Sequence, residues 1–198
     1  MTSKEDLSET ASYFDNIYRE NADPWNFVHS VYEKEKRAAS LAALPRPCYR
    51  SALEIGCSIG VFTRQLANHC EQLLAVDFSE EALRMAKERC YDLPQVCFAL
   101  KCIPQEFPHD SFDLIILSEV GYYWSAPDLL LAKRRIIEHL EQGGHLLLVH
   151  SIDPAQPNST ADIHATFYQD VGTTLGHIVG MGTQGLGNRY QLDLFERI

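Results

Sequence analysis

Two glycines and an aspartate have the spacing of a nucleoside-binding loop. Gly56 and Gly60 lie in residues 54–60, and Asp77 follows Gly60 by seventeen residues. Gly56 permits a tight turn, and Gly60 permits the backbone to pass close to a ligand. A carboxylate at position 77 can accept hydrogen bonds from both hydroxyls of a ribose. The pattern therefore predicts a nucleoside site, and the alternative is a structural strand–helix turn followed by a surface aspartate.

The positions between and after the glycines exclude the common phosphate-binding loops. A dinucleotide fingerprint needs glycine at three places because the backbone nearly touches a pyrophosphate. Ser58 stands at the middle place and Val61 follows Gly60, so this fingerprint is absent. The glycine-rich loop with a lysine that binds nucleoside triphosphates is absent from the sequence as well. The loop therefore favours a nucleoside cofactor without a phosphate group.

Strands and helices that alternate along the chain must position this loop. Apolar runs without polar alternation predict five buried strands, at residues 51–56, Leu73–Asp77, Val96–Leu100, Phe112–Ser118 and residues 145–149. Residues 62–70 have helical periodicity, and Ser79 is the expected N-cap of the next helix. Pro127 indicates the start of a helix that runs to about Leu140. Gly143 and Gly144 are expected to close it. This alternation predicts a parallel sheet covered by helices.

Both ends of the chain depart from this alternation. Residues 1–45 contain no strand-like run and predict one or two helices that lie over the sheet. Residues 159–172 predict a helix with one buried face, formed by His164, Phe167, Tyr168 and Val171. The last ten residues alternate like a strand with one face in solvent, which is typical of an antiparallel edge hairpin. We therefore expect one α/β domain over residues 1–198. Its fold would be a Rossmann-like, doubly wound, mostly parallel seven-stranded sheet with helices on both faces and this hairpin at one edge.

Composition narrows the class of ligand and partner. The 198 residues carry 17 lysines and arginines against 27 aspartates and glutamates, a formal net charge of −10. Such a surface repels phosphate backbones, so we expect neither nucleic-acid nor membrane binding. Six cysteines without a C-x-x-C pair, no signal segment and no membrane-spanning run predict a soluble cytoplasmic protein with reduced thiols. The histidines lack metal-ligand spacing, so we expect no metal site.

At the level of the superfamily, the segment from Glu54 to Gly60 resembles the acidic-x-Gly-x-Gly-x-Gly motif of class I S-adenosylmethionine-dependent methyltransferases, with Ser58 as the departure. This resemblance implies S-adenosylmethionine as cofactor and S-adenosylhomocysteine as product. It also implies a set of cofactor-binding positions along the chain, which are Gly56, Cys57 and Ser58 in the loop, Asp77 on the ribose, Phe78, Cys102 and Ile103 around the adenine, and Ser118 near the methionine portion. Cys102 stands where many members have an aspartate, so the adenine contact would fall to backbone groups.

More selective blocks resemble the nodulation protein S (NodS) family. These blocks include DPWNF at residues 23–27, YEKEK at 32–36, SEVGYYW at 118–124, GGHLLLVH at 143–150 and RYQLDLFER at 189–197. The resemblance implies N-methylation of the free amine on the deacetylated, non-reducing glucosamine of a chito-oligosaccharide. Residues 1–45 would then cap the cofactor, residues 50–150 would bind it, and residues 151–198 would supply an acceptor-side helix and the final strands. Two alternatives stay open: methylation of another small-molecule amine or hydroxyl, and a non-catalytic binding module.

Several polar and aromatic side chains are candidates for the chemistry. Glu119 and His150 end buried strands at the same rim and are the candidate catalytic residues. Glu119 would orient the acceptor amine or the methionine ammonium, and His150 would accept a proton from the amine. Their alternative roles are a capping or ion-pairing carboxylate and a hydrogen-bonded structural histidine.

Aromatic residues supply the candidate walls of the site. Tyr122, Tyr123 and Trp124 would stack on the sugar of the acceptor, and Trp25 and Tyr32 would close over the cofactor. Aromatics of this kind are more often part of a core. Glu33 and Lys36 have the spacing of an ordinary solvated ion pair. The expected partner is a small amino-sugar or oligosaccharide, and the oligomeric state stays open.

Overall fold

The computed structural model describes residues 4–152, 159–182 and 190–198. Seven strands form one sheet in the order β3-β2-β1-β4-β5-β7-β6. The strands are β1 (Ala52–Ile55), β2 (Leu73–Asp77), β3 (Val96–Leu100), β4 (Phe112–Ser118), β5 (Leu140–Ser151), β6 (Leu175–Gly182) and β7 (Tyr190–Arg197). The helices are α1 (Lys4–Glu20), α2 (Val31–Ala42), α3 (Val61–Leu66), α4 (Glu80–Arg89), α5 (Ala126–His139) and α6 (Thr160–Tyr168). Strands β1 to β5 pair in parallel, while β7 pairs antiparallel with both β5 and β6. The predicted fold class is confirmed.

Burial of the central strands explains their uninterrupted apolar sequence. All four residues of β1 and the first six residues of β4 are buried. One face of the sheet contributes Leu53, Ile115 and Leu117 to the larger core cluster, and the other contributes Leu114 and Ile116 to a second cluster. Side chains alternate between faces, so a strand covered on both sides keeps apolar residues at every position.

Serines begin most of the helices that follow a strand or loop. Ser79 accepts a hydrogen bond from the backbone N–H of Ala82, as predicted, and Ser125 caps α5 by accepting from Asp128. Each serine satisfies one N–H that a helix start leaves without a partner. The caps set where the chain turns from the carboxyl end of a strand into a helix. They therefore define the edge of the sheet at which a ligand can approach.

The expectation that Gly143 and Gly144 close a helix is wrong. Helix α5 ends at His139, and β5 already begins at Leu140. Gly143 has a φ of +72°, and the pairing of β5 with β4 shifts register between Phe112 and Leu114. The two glycines therefore belong to an irregular start of the strand, where positive φ is accommodated without a Cβ.

The carboxyl-terminal segment also differs from its expected pattern. The hairpin of β6 and β7 lies at the edge of the sheet, but β7 has no solvent face between Leu192 and Phe195. Asp193 is 1% exposed and accepts hydrogen bonds from His164 and Tyr168, which makes its burial tolerable. Helix α6 is shorter than expected because it ends at Tyr168, so Val171 lies beyond it. His164 and Phe167 are buried, whereas Tyr168 is only partly covered.

Candidate active site

A cavity of about 310 Å³ lies at the carboxyl ends of β1, β2 and β4. Gly56, Asp77 and Ser118 line it from the strand ends, and Tyr18 and Trp25 line it from the amino-terminal segment. From β1 the sheet extends first to β2 and β3 on one side and then to β4 and β5 on the other. Doubly wound sheets bind ligands at the point where the strand order reverses in this way. The volume is in the range of small-molecule sites. The cavity therefore coincides with the edge at which the sequence predicts a ligand.

Backbone donors hold the carboxylate of Asp77 in place. Its Oδ2 accepts from the Ser58 N–H at 2.8 Å, and its Oδ1 accepts from the Ser79 N–H at 3.0 Å. Burial raises the pKa of Asp77, and the N–H groups of Ser79 and Ser58 act in the opposite direction. Each carboxylate oxygen has a second lone pair that can accept a hydroxyl hydrogen. The geometry thus suits a ligand that presents two adjacent hydroxyls.

The two loop glycines, Gly56 and Gly60, have different structural roles. At Gly56, with φ of +77°, an added Cβ would come within 2.2 Å of Cγ2 of Val120. Gly60 has the same φ, but its added Cβ would meet the backbone of Ala86 in α4 at 3.0 Å. Gly60 is not among the residues that line the cavity. Its role in packing α3 against α4 therefore corrects the expectation that it lets the backbone pass beside a ligand.

At the expected adenine end of the cavity, the backbone is already engaged. Phe78, Cys102 and Ile103 all line the cavity. However, the N–H of Cys102 donates to the Glu106 carboxylate at 2.8 Å, and its carbonyl accepts from the Glu106 N–H. The carbonyl of Ile103 accepts from Nε1 of Trp124 at 2.9 Å. The Cys102 N–H, which was expected to contact the adenine in place of an aspartate side chain, therefore already has Glu106 as its partner.

Helix α1 and the loop after it line the part of the cavity near Asp77. The hydroxyls of Tyr18 and Ser58 form a hydrogen bond of 2.7 Å, which ties α1 to the glycine loop. The ring of Phe14 meets those of Phe78 and Trp25 at centroid distances of 5.1 and 6.2 Å. Such edge and tilted contacts stabilise aromatic clusters beyond their burial. Trp25 lines the cavity, with 38% of its surface exposed.

At the other half of the cavity, Glu119 is bound by donors from three elements. Its Oε1 accepts from Nζ of Lys36 at 2.6 Å and from Oγ of Ser151 at 2.9 Å. Its Oε2 accepts from the hydroxyl of Tyr122 at 2.9 Å, and the Ser151 N–H reaches both oxygens. The backbone of Glu119 has a φ of +60°, which is strained for a residue with a Cβ. Strain of this kind persists only where the surroundings determine the conformation, as these donors do here.

Lys36 and Glu33 form an ion pair that differs from the expected solvated one. Nζ of Lys36 lies 2.8 Å from Oε1 of Glu33, and the lysine side chain is only 3% exposed. Burial alone would lower the pKa of Lys36, but the charges of Glu119 and Glu33 raise it above its usual value. The ammonium is therefore a fixed positive charge between two carboxylates that both line the cavity.

The three aromatic residues after β4 do not form a continuous stacking surface. Tyr122 and Trp124 touch the cavity but are 2% and 8% exposed, because both pack into the larger core cluster. Tyr123 is 42% exposed. Of the three, only Tyr123 therefore presents enough ring surface to stack on an acceptor, which corrects the expectation for the other two.

His150 lies behind the site rather than in it. Its side chain is fully buried, its Nε2 accepts from the Gly121 N–H at 3.3 Å, and its Nδ1 lies 3.1 Å from Nε2 of His164. His164 in turn contacts Asp193 at 2.6 Å. Burial and the neighbouring His164 lower the pKa of His150 well below its usual value. It does not line the cavity, so it cannot take a proton directly from an acceptor there.

Two of the expected cofactor residues also lie away from the main cavity. Cys57 is buried, and its backbone N–H donates to Val76, so it supports the loop from below. Tyr32 lies on the Glu119 side, where its hydroxyl is 3.1 Å from Oγ of Ser151. The structure therefore brings Trp25, Gly56, Ser58, Asp77, Phe78, Cys102, Ile103, Ser118, Glu119 and the three aromatics of residues 122–124 around one space, and not Cys57, Tyr32 or His150.

Sequence reasoning overlooked several residues of the site. Asp128 lines the cavity and is held by Gln105 at 2.8 Å, and neither was singled out. Arg37, buried in α2, was not singled out either. Its only sequence signal was a cation inside a helix whose charged residues were expected to face solvent. Within the part of the chain that the structure describes, no cluster of three potential metal ligands occurs. No described helix combines the length and the apolar character needed to cross a membrane.

Solved structures define the class of this fold and site. The chain superposes on N-methyltransferase NodS from Bradyrhizobium japonicum WM9, solved in complex with S-adenosyl-L-homocysteine, with a TM-score of 0.81. The identity is 25%, and the match covers 93% of this chain and 97% of that one. The fold is that of the S-adenosylmethionine-dependent methyltransferases, whose cofactor is S-adenosylmethionine.

Sequence comparison gives the family. The family described as Nodulation protein S (NodS) matches residues 15–153, and the chain belongs to this family. A Nodulation protein S from Rhizobium tropici is 30% identical over 148 residues, which are 73% of this chain and 62% of that protein. The chain thus spans less than two thirds of this relative. Phosphoethanolamine N-methyltransferase 1 of Triticum aestivum is 25% identical over 142 residues, covering 70% of this chain and 28% of the relative.

Proposed function

We propose that the protein transfers a methyl group from S-adenosylmethionine to the free amine of a deacetylated glucosamine in a chito-oligosaccharide. One observation supports the proposal: a single cavity is lined by two carboxylates, Asp77, which backbone N–H groups hold, and Glu119, which Lys36 holds. Asp77 would hold the ribose of the cofactor, and Gly56 and Ser118 would flank its remainder. Glu119 and Tyr123 would then lie on the side from which the acceptor approaches.

Positioning is the main contribution that these residues make to the reaction. When bound, S-adenosylmethionine supplies an electrophilic methyl group on a sulfonium. The acceptor nitrogen forms the new N–C bond with its lone pair as the S–C bond breaks, and its proton leaves to water. Holding two reactants in line lowers a barrier by about 7–11 kcal/mol. Glu119 contributes a negative charge to the lining, which favours an amine, and Tyr123 offers a ring face to the sugar.

Charge around the cavity favours an amine over a phosphorylated acceptor. Among the described residues, its charged lining consists of four carboxylates and one ammonium, namely Glu33, Asp77, Glu119, Asp128 and Lys101. A phosphate would be repelled by these carboxylates, because like charges in a cleft of low dielectric raise the energy of binding. An amine or a neutral sugar is free of this penalty. The cavity thus supports an amino-sugar acceptor better than phosphoethanolamine.

Labelled methyl transfer tests the proposal. The protein is incubated with methyl-labelled S-adenosylmethionine and one of three acceptors: deacetylated chitin oligomers, fully acetylated oligomers of equal length, or phosphoethanolamine. We expect label only in the deacetylated oligomers, because acetylation removes the nucleophilic lone pair. Label in phosphoethanolamine alone would contradict the amino-sugar assignment. Binding of S-adenosylhomocysteine without transfer to any amine would favour a non-catalytic module.

A further inference from the structure

A chain of buried hydrogen bonds runs from the wall of the cavity to β7. It begins at the N–H of Gly121, which donates to Nε2 of His150 at 3.3 Å. Nδ1 of His150 lies 3.1 Å from Nε2 of His164, and Nδ1 of His164 lies 2.6 Å from Oδ2 of Asp193. The two histidines and Asp193 are at most 1% exposed, and none of them lines the cavity. Any effect of this chain on a bound ligand therefore passes through Gly121 and its neighbours.

The hydrogen bonds of this chain have one consistent direction. Because Nε2 of His150 accepts from a backbone N–H, the neutral ring carries its proton at Nδ1 and donates it to His164. His164 then accepts at Nε2 and donates from Nδ1 to Asp193. Burial opposes the ionised form of Asp193, but hydrogen bonds from His164, Tyr168 and Gln191 hold its pKa at about 2. A carboxylate that stays ionised thus fixes the tautomer of both rings.

The segment that this chain holds carries residues of the proposed acceptor side. Gly121 begins a short 3₁₀ helix that ends at Tyr123, and Glu119 lies two residues before it. The glycine is tightly packed, since an added Cβ would lie 2.8 Å from a side chain of α6 and 3.1 Å from Nε2 of His150. His150 also directly precedes Ser151, whose N–H and Oγ donate to Glu119. One buried ring therefore contacts or adjoins both segments that determine where Glu119 and Tyr123 lie.

We infer that His150, His164 and Asp193 position the acceptor side of the active site. This role rests on the proposed function, which has the acceptor approach beside residues 119–123. The three side chains act through Gly121 and are positioning residues, because none of them lines the cavity. If the rings lose their fixed tautomers, a protonated Nε2 of His150 faces the Gly121 N–H, and two donors then oppose each other. The segment has to shift in response, and a misplacement of about 1 Å can lower a rate by about 100-fold.

Transfer kinetics and cofactor binding of two variants test this role. Transfer is measured from methyl-labelled S-adenosylmethionine to deacetylated chitin oligomers, and calorimetry measures binding of S-adenosylhomocysteine. His164→Phe keeps a ring but removes the acceptor for His150, so kcat/KM for the oligomer should fall by about 10- to 100-fold. Asp193→Asn keeps an oxygen that can accept from His164, so its kcat/KM should lie between those of wild type and His164→Phe. In both variants, S-adenosylhomocysteine should bind with the wild-type stoichiometry and within about threefold of the wild-type affinity.

Nitrogen NMR of the imidazole rings gives a readout that does not depend on activity. In the ligand-free wild type and in Asp193→Asn, His150 should carry its proton at Nδ1. In His164→Phe, this preference should be lost, because the acceptor at Nδ1 is gone. A merely structural role would lower the melting temperature without changing the tautomer of His150 together with kcat/KM. A wild-type His150 with its proton at Nε2 would overturn the proposal.

His177→Phe is the matched control. His177 also contacts Asp193, at 2.9 Å, but through Oδ1 rather than the Oδ2 that His164 contacts, and its side chain is 27% exposed. It should leave kcat/KM within about twofold of wild type. A wild-type kcat/KM in His164→Phe, or an equal loss of affinity for S-adenosylhomocysteine, would overturn the positioning role alone.

The wild-type protein separates this role from the proposed function. If the wild type methylates only an amine other than the amino-sugar, the proposed function is overturned, and the same comparison of variants on that amine decides the positioning role. If the wild type methylates no amine, both are overturned.

Discussion

Two carboxylates at the ends of β2 and β4, the strands on either side of β1, are held in opposite ways. Asp77, at the end of β2, takes its hydrogen bonds from backbone N–H groups of Ser58 and Ser79. Glu119, just after β4, takes most of its own from side chains, including Lys36, which is 83 positions away in the chain. Backbone N–H donors are positioned by the turn that follows the strand, whereas side-chain donors are positioned by other helices and strands. The Asp77 carboxylate, in the half of the cavity that the proposal assigns to the nucleoside, is thus held locally, whereas Glu119, in the proposed acceptor half, depends on α2.

A third carboxyl group, Glu54 on β1, lies on the strand between these two and has weaker support, since the Thr63 side chain lowers its pKa by less than burial raises it. It is fully buried, and one of its oxygens lacks a partner in the described structure. Burial raises the pKa of Glu54 from 4.5 to about 8. The contrast with Asp77, where the N–H groups of Ser79 and Ser58 act against burial, indicates that hydrogen-bond donors limit how far burial raises the pKa of a carboxyl group.

The largest effect should come from Glu54, as a change of stability with pH. The unfolded chain loses the Glu54 proton near pH 4.5 and the folded protein near pH 8, so the folded state binds more protons between these values. Stability therefore falls as pH rises through this window, by roughly 1.4 kcal/mol per unit, or about 3 kcal/mol by pH 7. Glu54→Gln, which stays neutral, should unfold at a higher denaturant concentration than wild type at pH 7.5 and at a similar one at pH 4.5.

The matched control for that comparison is Glu71→Gln, which changes an exposed glutamate two residues before β2. It should follow the wild-type stability at both pH values. If Glu54→Gln shows the same difference from wild type at pH 4.5 and 7.5, Glu54 is ionised in the folded protein and the contrast with Asp77 and Glu119 is wrong.

The local half of the site is also the half that the sequence predicts well. Gly56, Ser58 and Asp77 lie within 22 positions, and the buried strands on either side show as apolar runs. Their geometry follows from one strand–turn–helix unit, so residue type and spacing suffice. The doubly wound, mostly parallel sheet is predictable too, because apolar runs without alternation, separated by helices, are typical of parallel strands buried on both faces.

The features that were missed depend on contacts between distant segments. Lys36 reads as a solvated charge because nothing near it in the chain reveals that Glu119 and Ser151 receive it. Asp193 reads as a solvent-facing position of β7, yet hydrogen bonds from His164 and Tyr168 overcome its burial and hold its pKa at about 2. In each case the burial of a polar residue is tolerated because its partners come from other elements. The pattern of apolar and polar residues along one strand or helix cannot reveal these partners.

Replacing Lys36 tests whether the ion pair with Glu119 stabilises the protein. Lys36→Met leaves Glu33 and Glu119 without their shared cation, and we expect unfolding free energy to fall by about 2–3 kcal/mol, less than for a fully buried pair because Glu119 is 23% exposed. Denaturant titration measures the loss. The exposed neighbour Lys34→Met should change stability by less than about 0.5 kcal/mol.

Neutralising the carboxylate should restore part of this loss. In Lys36→Met combined with Glu119→Gln, the uncompensated charge is gone, so the double variant should be more stable than the sum of the single changes implies. If the two changes in unfolding free energy are strictly additive, the 2.6 Å contact between Lys36 and Glu119 contributes little to stability. Glu119 would then be held as independently of α2 as Asp77 is.

Truncating Asp77 tests whether this carboxylate binds the cofactor. Asp77→Ala removes the acceptor for two ribose hydroxyls and leaves the N–H groups of Ser58 and Ser79 without it, so S-adenosylhomocysteine should bind about 10- to 100-fold more weakly, or roughly 1–3 kcal/mol. Calorimetry gives the dissociation constant, with exposed Glu88→Ala as the control. By contrast, Glu119→Gln should keep cofactor affinity and reduce turnover. If Asp77→Ala binds as tightly as wild type, the ribose does not lie on β2, and the two carboxylates do not divide cofactor and acceptor between them.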